Sequence, residues 1–207
     1  MDTLNYFFGF YSIVLGLSVV ELLGGVARTI ETRTISTTSR LTLLVAAFVL
    51  LDMSSYWIQA WSLYRHAPLS MTVITHGLVA AGSYFVAAYL IFPRAAKPRR
   101  GEGRDDHFWA TRRWVFGAVL LTNVLNVGTM AVLTGGLGFI GSAPYTAFIA
   151  TFYVACAIAA IAPRGRLVAG ALIWLVVFSI TAVLMDSASV VAAGGWSFEG
   201  LLGPAGQ

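Results

Sequence analysis

Residues 94–113, RAAKPRRGEGRDDHFWATRR, gather seven of the chain's thirteen Lys and Arg residues into one short polar segment. On either side, Leu69–Pro93 and the stretch after Arg113 as far as Thr134 contain no Asp, Glu, Lys or Arg. A polar hairpin between two apolar runs of twenty or more residues is the signature of two membrane-spanning helices. Each run is long enough to cross a hydrocarbon core of roughly 30 Å at about 1.5 Å per residue. The runs lack two-residue alternation, so helices are expected and a β-barrel is not.

The same pattern repeats outward from this hairpin. Further apolar runs cover Asn5–Ala27, Leu41–Tyr64, Ser142–Ala162 and Leu167–Val191, giving six expected spans in an all-α, single-domain bundle. Over 207 residues the chain is 58% hydrophobic and only 11% charged, with a mean hydropathy of +0.80. A soluble domain of this size carries about a quarter charged residues. Little chain remains for a soluble catalytic domain.

Charge distribution sets the expected orientation. Arg28, Arg33 and Arg40 lie between spans one and two, and Arg164 and Arg166 between five and six. Together with the hairpin this makes twelve basic residues in alternate gaps, against Arg65 alone in the others. The positive-inside rule then predicts basic loops in the cytoplasm of a bacterial inner membrane, with both termini periplasmic or extracellular. The net charge of +4 is read as a topology signal that also meets anionic headgroups, and not as a nucleic-acid surface. The start, Met-Asp-Thr-Leu-Asn, has no basic region ahead of the apolar run, so the first span is expected to be retained.

Aromatics flank the spans as interfacial anchors. Tyr6, Trp61, Tyr64, Tyr145 and Trp196 mark the outer side, and Trp109 and Trp114 the inner. Small residues recur at helix-contact spacing, Ser12 and Gly16 on span one and Gly77, Ala81 and Ala88 on span three. They fit internal helix packing or the seam of a homo-oligomer.

Carboxyl groups inside hydrocarbon are costly and draw attention to function. Counting at about 1.5 Å per residue from the basic loops puts Glu21 roughly 10 Å deep and Asp52 about 18 Å deep, near the midplane. Asn123 and Asn126 fall level with Asp52, while His76 and Asp186 lie near the outer surface. Helical periodicity then groups polar residues into stripes: Asp52, Ser55, Tyr56 and Gln59; Thr72, Thr75, His76 and Ser83; Thr122, Asn123, Asn126 and Thr129. If these stripes face one another, they line a polar cavity open to the outside and floored near Asp52. No cation shares the depth of Asp52, so its carboxyl is expected either to carry a proton or to meet water or a cation. Glu21 is expected either to act as an inner relay or to pair with Arg28, Arg112 or Arg113. Asn123 and Asn126 also fit plain interhelical hydrogen bonding.

Enzymatic chemistry is not supported. The three histidines, His66, His76 and His107, lie at different levels of the bilayer, so no metal or haem cluster assembles from them. No phosphate-binding glycine loop and no zinc-protease His-Glu pair occurs, and no cofactor is expected. The lone cysteine, Cys156, says nothing of redox compartment.

The first span, from Tyr6-Phe7-Phe8 through Ser12-Ile13-Val14-Leu15-Gly16-Leu17 to Glu21-Leu22-Leu23 and Arg28, has a distinctive pattern. So do Tyr89-Leu90-Ile91-Phe92-Pro93, Asp106-His107-Phe108 and Arg112-Arg113-Trp114. Together, over about the first 120 residues, they resemble an uncharacterised family of small bacterial multipass membrane proteins. The resemblance implies six membrane helices and no particular activity; Glu21 stands where it implies a neutral polar residue. Two functions follow as expectations. In the first, the protein passes a proton, small ion or solute through a polar cavity, with Asp52 central, Gln59, His76, Asn123 and Asn126 along the route and Glu21 on the inner side. In the second, it is a non-conducting accessory subunit whose polar faces are buried dry between helices.

Overall fold

The computed structural model describes residues 3–31, 39–64, 70–93, 105–136 and 143–192. These form six helices: α1 (Thr3–Glu31), α2 (Arg40–Tyr64), α3 (Met71–Ile91), α4 (Asp106–Thr134), α5 (Ala143–Ile161) and α6 (Arg166–Ala192). Five are long and apolar enough to cross a membrane, and α5 carries a shorter apolar stretch, Thr146–Ile161. The chain is therefore a helical-bundle membrane protein.

Helix ends depart from the hydropathy pattern where hydrogen bonding outruns it. Helix α4 begins at Asp106, seven residues ahead of the apolar run, because its first turns bury Phe108 and Arg112 against the bundle. It stops at Gly135, whose positive φ of 72° lets the backbone N–H turn back to the Ala131 carbonyl. A side chain would resist that left-handed conformation. Helix α3 starts on Ser70, whose hydroxyl oxygen accepts from the Val73 amide. Ser39 starts α2 in a similar way, accepting from the Leu41 amide while its own hydroxyl donates to Asp105 ahead of α4.

Neighbouring helices close a ring in the order α1, α3, α4, α5, α6, α2 and back to α1. Helix α2 also reaches across to α3 and α4. One apolar core draws buried side chains from all six helices, Leu15, Phe48, Ala80, Phe116, Cys156 and Leu172 among them. Large apolar side chains such as Ile13, Val20, Trp114, Val132 and Leu184 are exposed on the outside of the bundle. In hydrocarbon that surface is as well solvated as the core, so specificity rests on close packing and on polar contacts.

One end of the bundle is basic and tightly tied. Arg112 of α4 donates to the carbonyls of Ala159 at 3.2 Å and Ala162 at 2.6 Å, capping the C-terminus of α5. Arg112 and Arg164 lie over the Trp109 ring, 4.7 Å and 5.6 Å from its centroid. Arg164 also pairs with Asp106 at 3.5 Å, and His107 Nε2–H donates to the Leu90 carbonyl at 3.0 Å. A cavity of about 10 Å³, near the lower limit for a single water, lies here between Thr42, Ile91, Phe108 and Arg112. Gly25 admits the Phe92 ring so closely that a Cβ would stand 2.2 Å from it.

Candidate functional site

The candidate site forms in the other half of the bundle, away from the basic end, where α2 reaches α3 and α4. Asp52 of α2 is buried, 8% exposed, and its Oδ2 accepts from the Tyr84 hydroxyl of α3 at 2.8 Å. Asn123 of α4 donates Nδ2 to the same oxygen at 3.4 Å and to the Val119 carbonyl at 3.0 Å. Asp52 therefore joins three helices. The titratable side chains facing it from neighbouring helices are Tyr84 of α3 and Tyr153 and Cys156 of α5. No basic side chain faces it among the described residues.

Seven residues along the Asp52 face, Gln59 accepts from Asn126 Nδ2 of α4 at 2.9 Å. Gln59 is exposed, whereas Asn126 is buried and its Oδ1 has no hydrogen-bond partner. Thr122, on the same face of α4, donates to the Ala80 carbonyl of α3 at 3.3 Å. The expected stripes of α2 and α4 thus do face one another. On α3 the agreement is partial: His76 turns inward, but Thr72 and Thr75 are exposed and the Ser83 hydroxyl bonds its own helix at the Val79 carbonyl.

Tyrosine rings occupy the space where a cavity was expected. Tyr11 of α1, Tyr56 and Tyr64 of α2 and Tyr84 of α3 are all buried to within 2% of full. Their rings touch in series: Tyr84 lies 5.4 Å from Tyr56, Tyr56 lies 6.5 Å from Tyr11, and Tyr11 lies 5.8 Å from Tyr64. At the far end the Tyr64 oxygen and His76 Nδ1 share a hydrogen bond of 2.8 Å. Gly77, next to His76, makes room for this meeting. A Cβ there would stand 2.8 Å from Phe7 Cζ and 3.3 Å from the Tyr64 oxygen.

Of the residues expected to act together, Asp52, Asn123, Gln59 and Asn126 converge, and His76 reaches the group through tyrosines. Glu21 does not join them. Leu15 is one helical turn from Tyr11 and so level with Asp52, and Glu21 is six residues, about 9 Å, further toward the basic end. There Glu21 Oε1 meets Arg28 at 3.4 Å. Between the two carboxylates' levels the described buried side chains are mostly apolar, and Ser18, buried there, spends its hydroxyl on the Val14 carbonyl of its own helix at 3.3 Å. Phe48 stacks on Phe116 at 6.0 Å and leans on Phe152 at 6.1 Å. The side chains of Asp186, Tyr6, Trp61 and Tyr145, and all of Trp196, lie outside the described residues.

Tyr11 and Tyr84 are the functional candidates that periodicity alone passes over. The signal for them is position: both are phenols well inside a span, away from the interfacial belt, and a buried phenol O–H usually seeks a partner. Among the described residues no group of three or more His, Cys, Asp or Glu is arranged to hold a metal ion. No protein family, no curated protein and no solved structure matches the chain.

Proposed function

We propose that this membrane protein takes a proton from the outer side of a bacterial inner membrane onto Asp52 and passes it on as transport. The observation that carries this reading is the setting of Asp52. It is a buried carboxyl with neutral donors, no facing cation among the described residues, and a train of tyrosines leading to His76 at the far end. A proton suits this setting better than a solute, because packed rings stand where a solute would need room. On this reading the basic end is cytoplasmic, both termini are outside, and the Phe48–Phe116–Phe152 layer is the closed inner gate. The family resemblance of the first 120 residues is compatible with this and adds no activity.

A second reading is favoured by one specific observation. Asp52 is hydrogen-bonded from two helices inside a packed interior, as expected of an accessory subunit that uses polar contacts only to fix its fold. The deciding experiment is flux driven by a pH gradient in proteoliposomes holding the wild type or Asp52→Asn, both shown folded by size exclusion and circular dichroism. Flux in the wild type that disappears in Asp52→Asn supports proton passage. Absence of flux in both rejects it in favour of the accessory reading.

A further inference from the structure

The hydroxyls of Tyr11, Tyr56 and Tyr64 approach one another from α1 and two turns of α2, closely enough to interact. Yet the Tyr11 and Tyr56 hydroxyls have no partner in hydrogen-bond geometry, although both side chains are buried. The second nitrogen of His76, Nε2, is likewise buried without a partner in hydrogen-bond geometry, and the Leu125 carbonyl of α4 lies close to the ring. A buried hydroxyl without a hydrogen bond costs roughly 1–3 kcal/mol. Two such buried hydroxyls near one another share one remedy, a small molecule able both to donate and to accept. Water meets that need, and buried waters characteristically make about three such bonds. Among the described residues the surroundings are aromatic faces and oxygens, with no Lys or Arg to favour an anion.

We infer that a water molecule bound by the hydroxyls of Tyr11, Tyr56 and Tyr64 completes a hydroxyl path from His76 to Asp52, with Tyr84 as the final donor. This rests on the reading of Asp52 as a proton-accepting carboxylate. A proton arriving on His76 leaves Nδ1 for the Tyr64 oxygen as the Tyr64 hydroxyl proton moves to the water. The water releases a proton to the Tyr56 oxygen. Tyr56 gives up its own hydroxyl proton to the oxygen of Tyr84, whose ring lies 5.4 Å from its own, as Tyr84 gives its hydroxyl proton to Asp52 Oδ2. Each hydroxyl and the water end with the protons they began with, and the net change is one proton moved from His76 to the carboxylate. The titratable side chains along the route are His76, Tyr64, Tyr11, Tyr56, Tyr84 and Asp52, with Tyr153 and Cys156 facing the last.

Two measurements on Tyr11→Phe and Tyr56→Phe test this, with exposed Tyr89→Phe as control; the substitutions keep the rings and so the packing. The first is infrared spectroscopy of the purified protein in H₂¹⁸O against H₂¹⁶O. An isotope-shifted O–H stretch of a buried water is expected in the wild type, Asp52→Asn and Tyr89→Phe, and its loss in the two tyrosine variants. No such band in the wild type, or its persistence in both variants, overturns the water site whether or not the protein conducts. The second is proteoliposome flux, expected to fall about tenfold or more in Tyr56→Phe. Wild-type flux in folded Tyr56→Phe overturns the path while leaving Asp52 as an acceptor. A wild type that shows the band and no flux overturns the path as a conductor and with it the transport reading.

Discussion

Tyr84 donates its hydroxyl to Asp52 Oδ2 at 2.8 Å, across the contact between α3 and α2. Both groups are buried, so neither can exchange this bond for water without opening the bundle. Tyr84→Phe removes the donor and leaves Oδ2 with only the longer Asn123 contact. Hydrogen bonds to a charged group contribute about 1.5–3 kcal/mol, while interhelical bonds in membranes average about 0.6 kcal/mol. A destabilisation of about 1–2 kcal/mol is expected in denaturing-detergent titrations. Asp52→Asn should cost less, because its amide oxygen still accepts from Tyr84. The reverse ranking would show that the carboxylate is held by something other than Tyr84.

Gly25 and Phe92 define a contact with no slack. A Cβ on Gly25 would lie 2.2–2.8 Å from three ring atoms, whereas one on Gly9 would meet nothing within 4 Å. Gly25→Ala should lower stability by about 1–3 kcal/mol through overpacking. Gly9→Ala should be neutral or slightly stabilising. Pairing Gly25→Ala with Phe92→Leu should recover much of the loss, read as a melting temperature in detergent. Equal behaviour of the two glycine variants would disprove the tight approach.

Arg112 and Arg113 are adjacent and opposite in role. Arg112 is buried on the carbonyls of Ala159 and Ala162, and Arg113 is exposed. Arg112→Ala should cost about 1–3 kcal/mol, and Arg113→Ala close to nothing. Arg112→Lys should restore only part, since an ammonium lacks the planar fork that spans two acceptors and lies over Trp109. Full rescue by Lys would mean that charge alone matters there.

Gln59 and Asn126 should be coupled weakly and measurably. Their 2.9 Å bond ties the outer turns of α2 and α4 on that face. A double-mutant cycle with Gln59→Leu and Asn126→Leu is expected to return about 0.6 kcal/mol of interaction. A value indistinguishable from zero would place the two amides out of contact.

The helices were legible in the sequence because the bilayer imposes both a length and a composition. Five of the six sequence spans fall within a few residues of α1, α2, α3, α5 and α6. The start of α4 was not, since hydropathy marks where hydrocarbon ends and Phe108–Arg112 continue the helix beyond it. Within the site, periodicity paired Asp52 with Gln59 and Asn123 with Asn126, because each pair shares one helix face. It could not show which face meets which: the side-by-side placement of α1 and α3, which brings Tyr11 to Tyr64 and Phe7 to Gly77, is a lateral fact that no single-helix pattern encodes. Glu21 shows the same limit, since depth alone left open both an inner relay and a pairing with Arg28, Arg112 or Arg113, and the structure gives the Arg28 contact.

The seat of Arg112 also fixes an order of events during synthesis. Its acceptors, the Ala159 and Ala162 carbonyls, lie 47 and 50 residues downstream. When α4 has been made, the guanidinium that will close its basic end still lacks its partners and must keep water or lipid phosphate in their place. Docking of α5 then exchanges those temporary ligands for carbonyls. The α1–α4 half, which holds Asp52, His76 and the tyrosines, is thus complete in sequence before the clamp that locks α5 onto it can form.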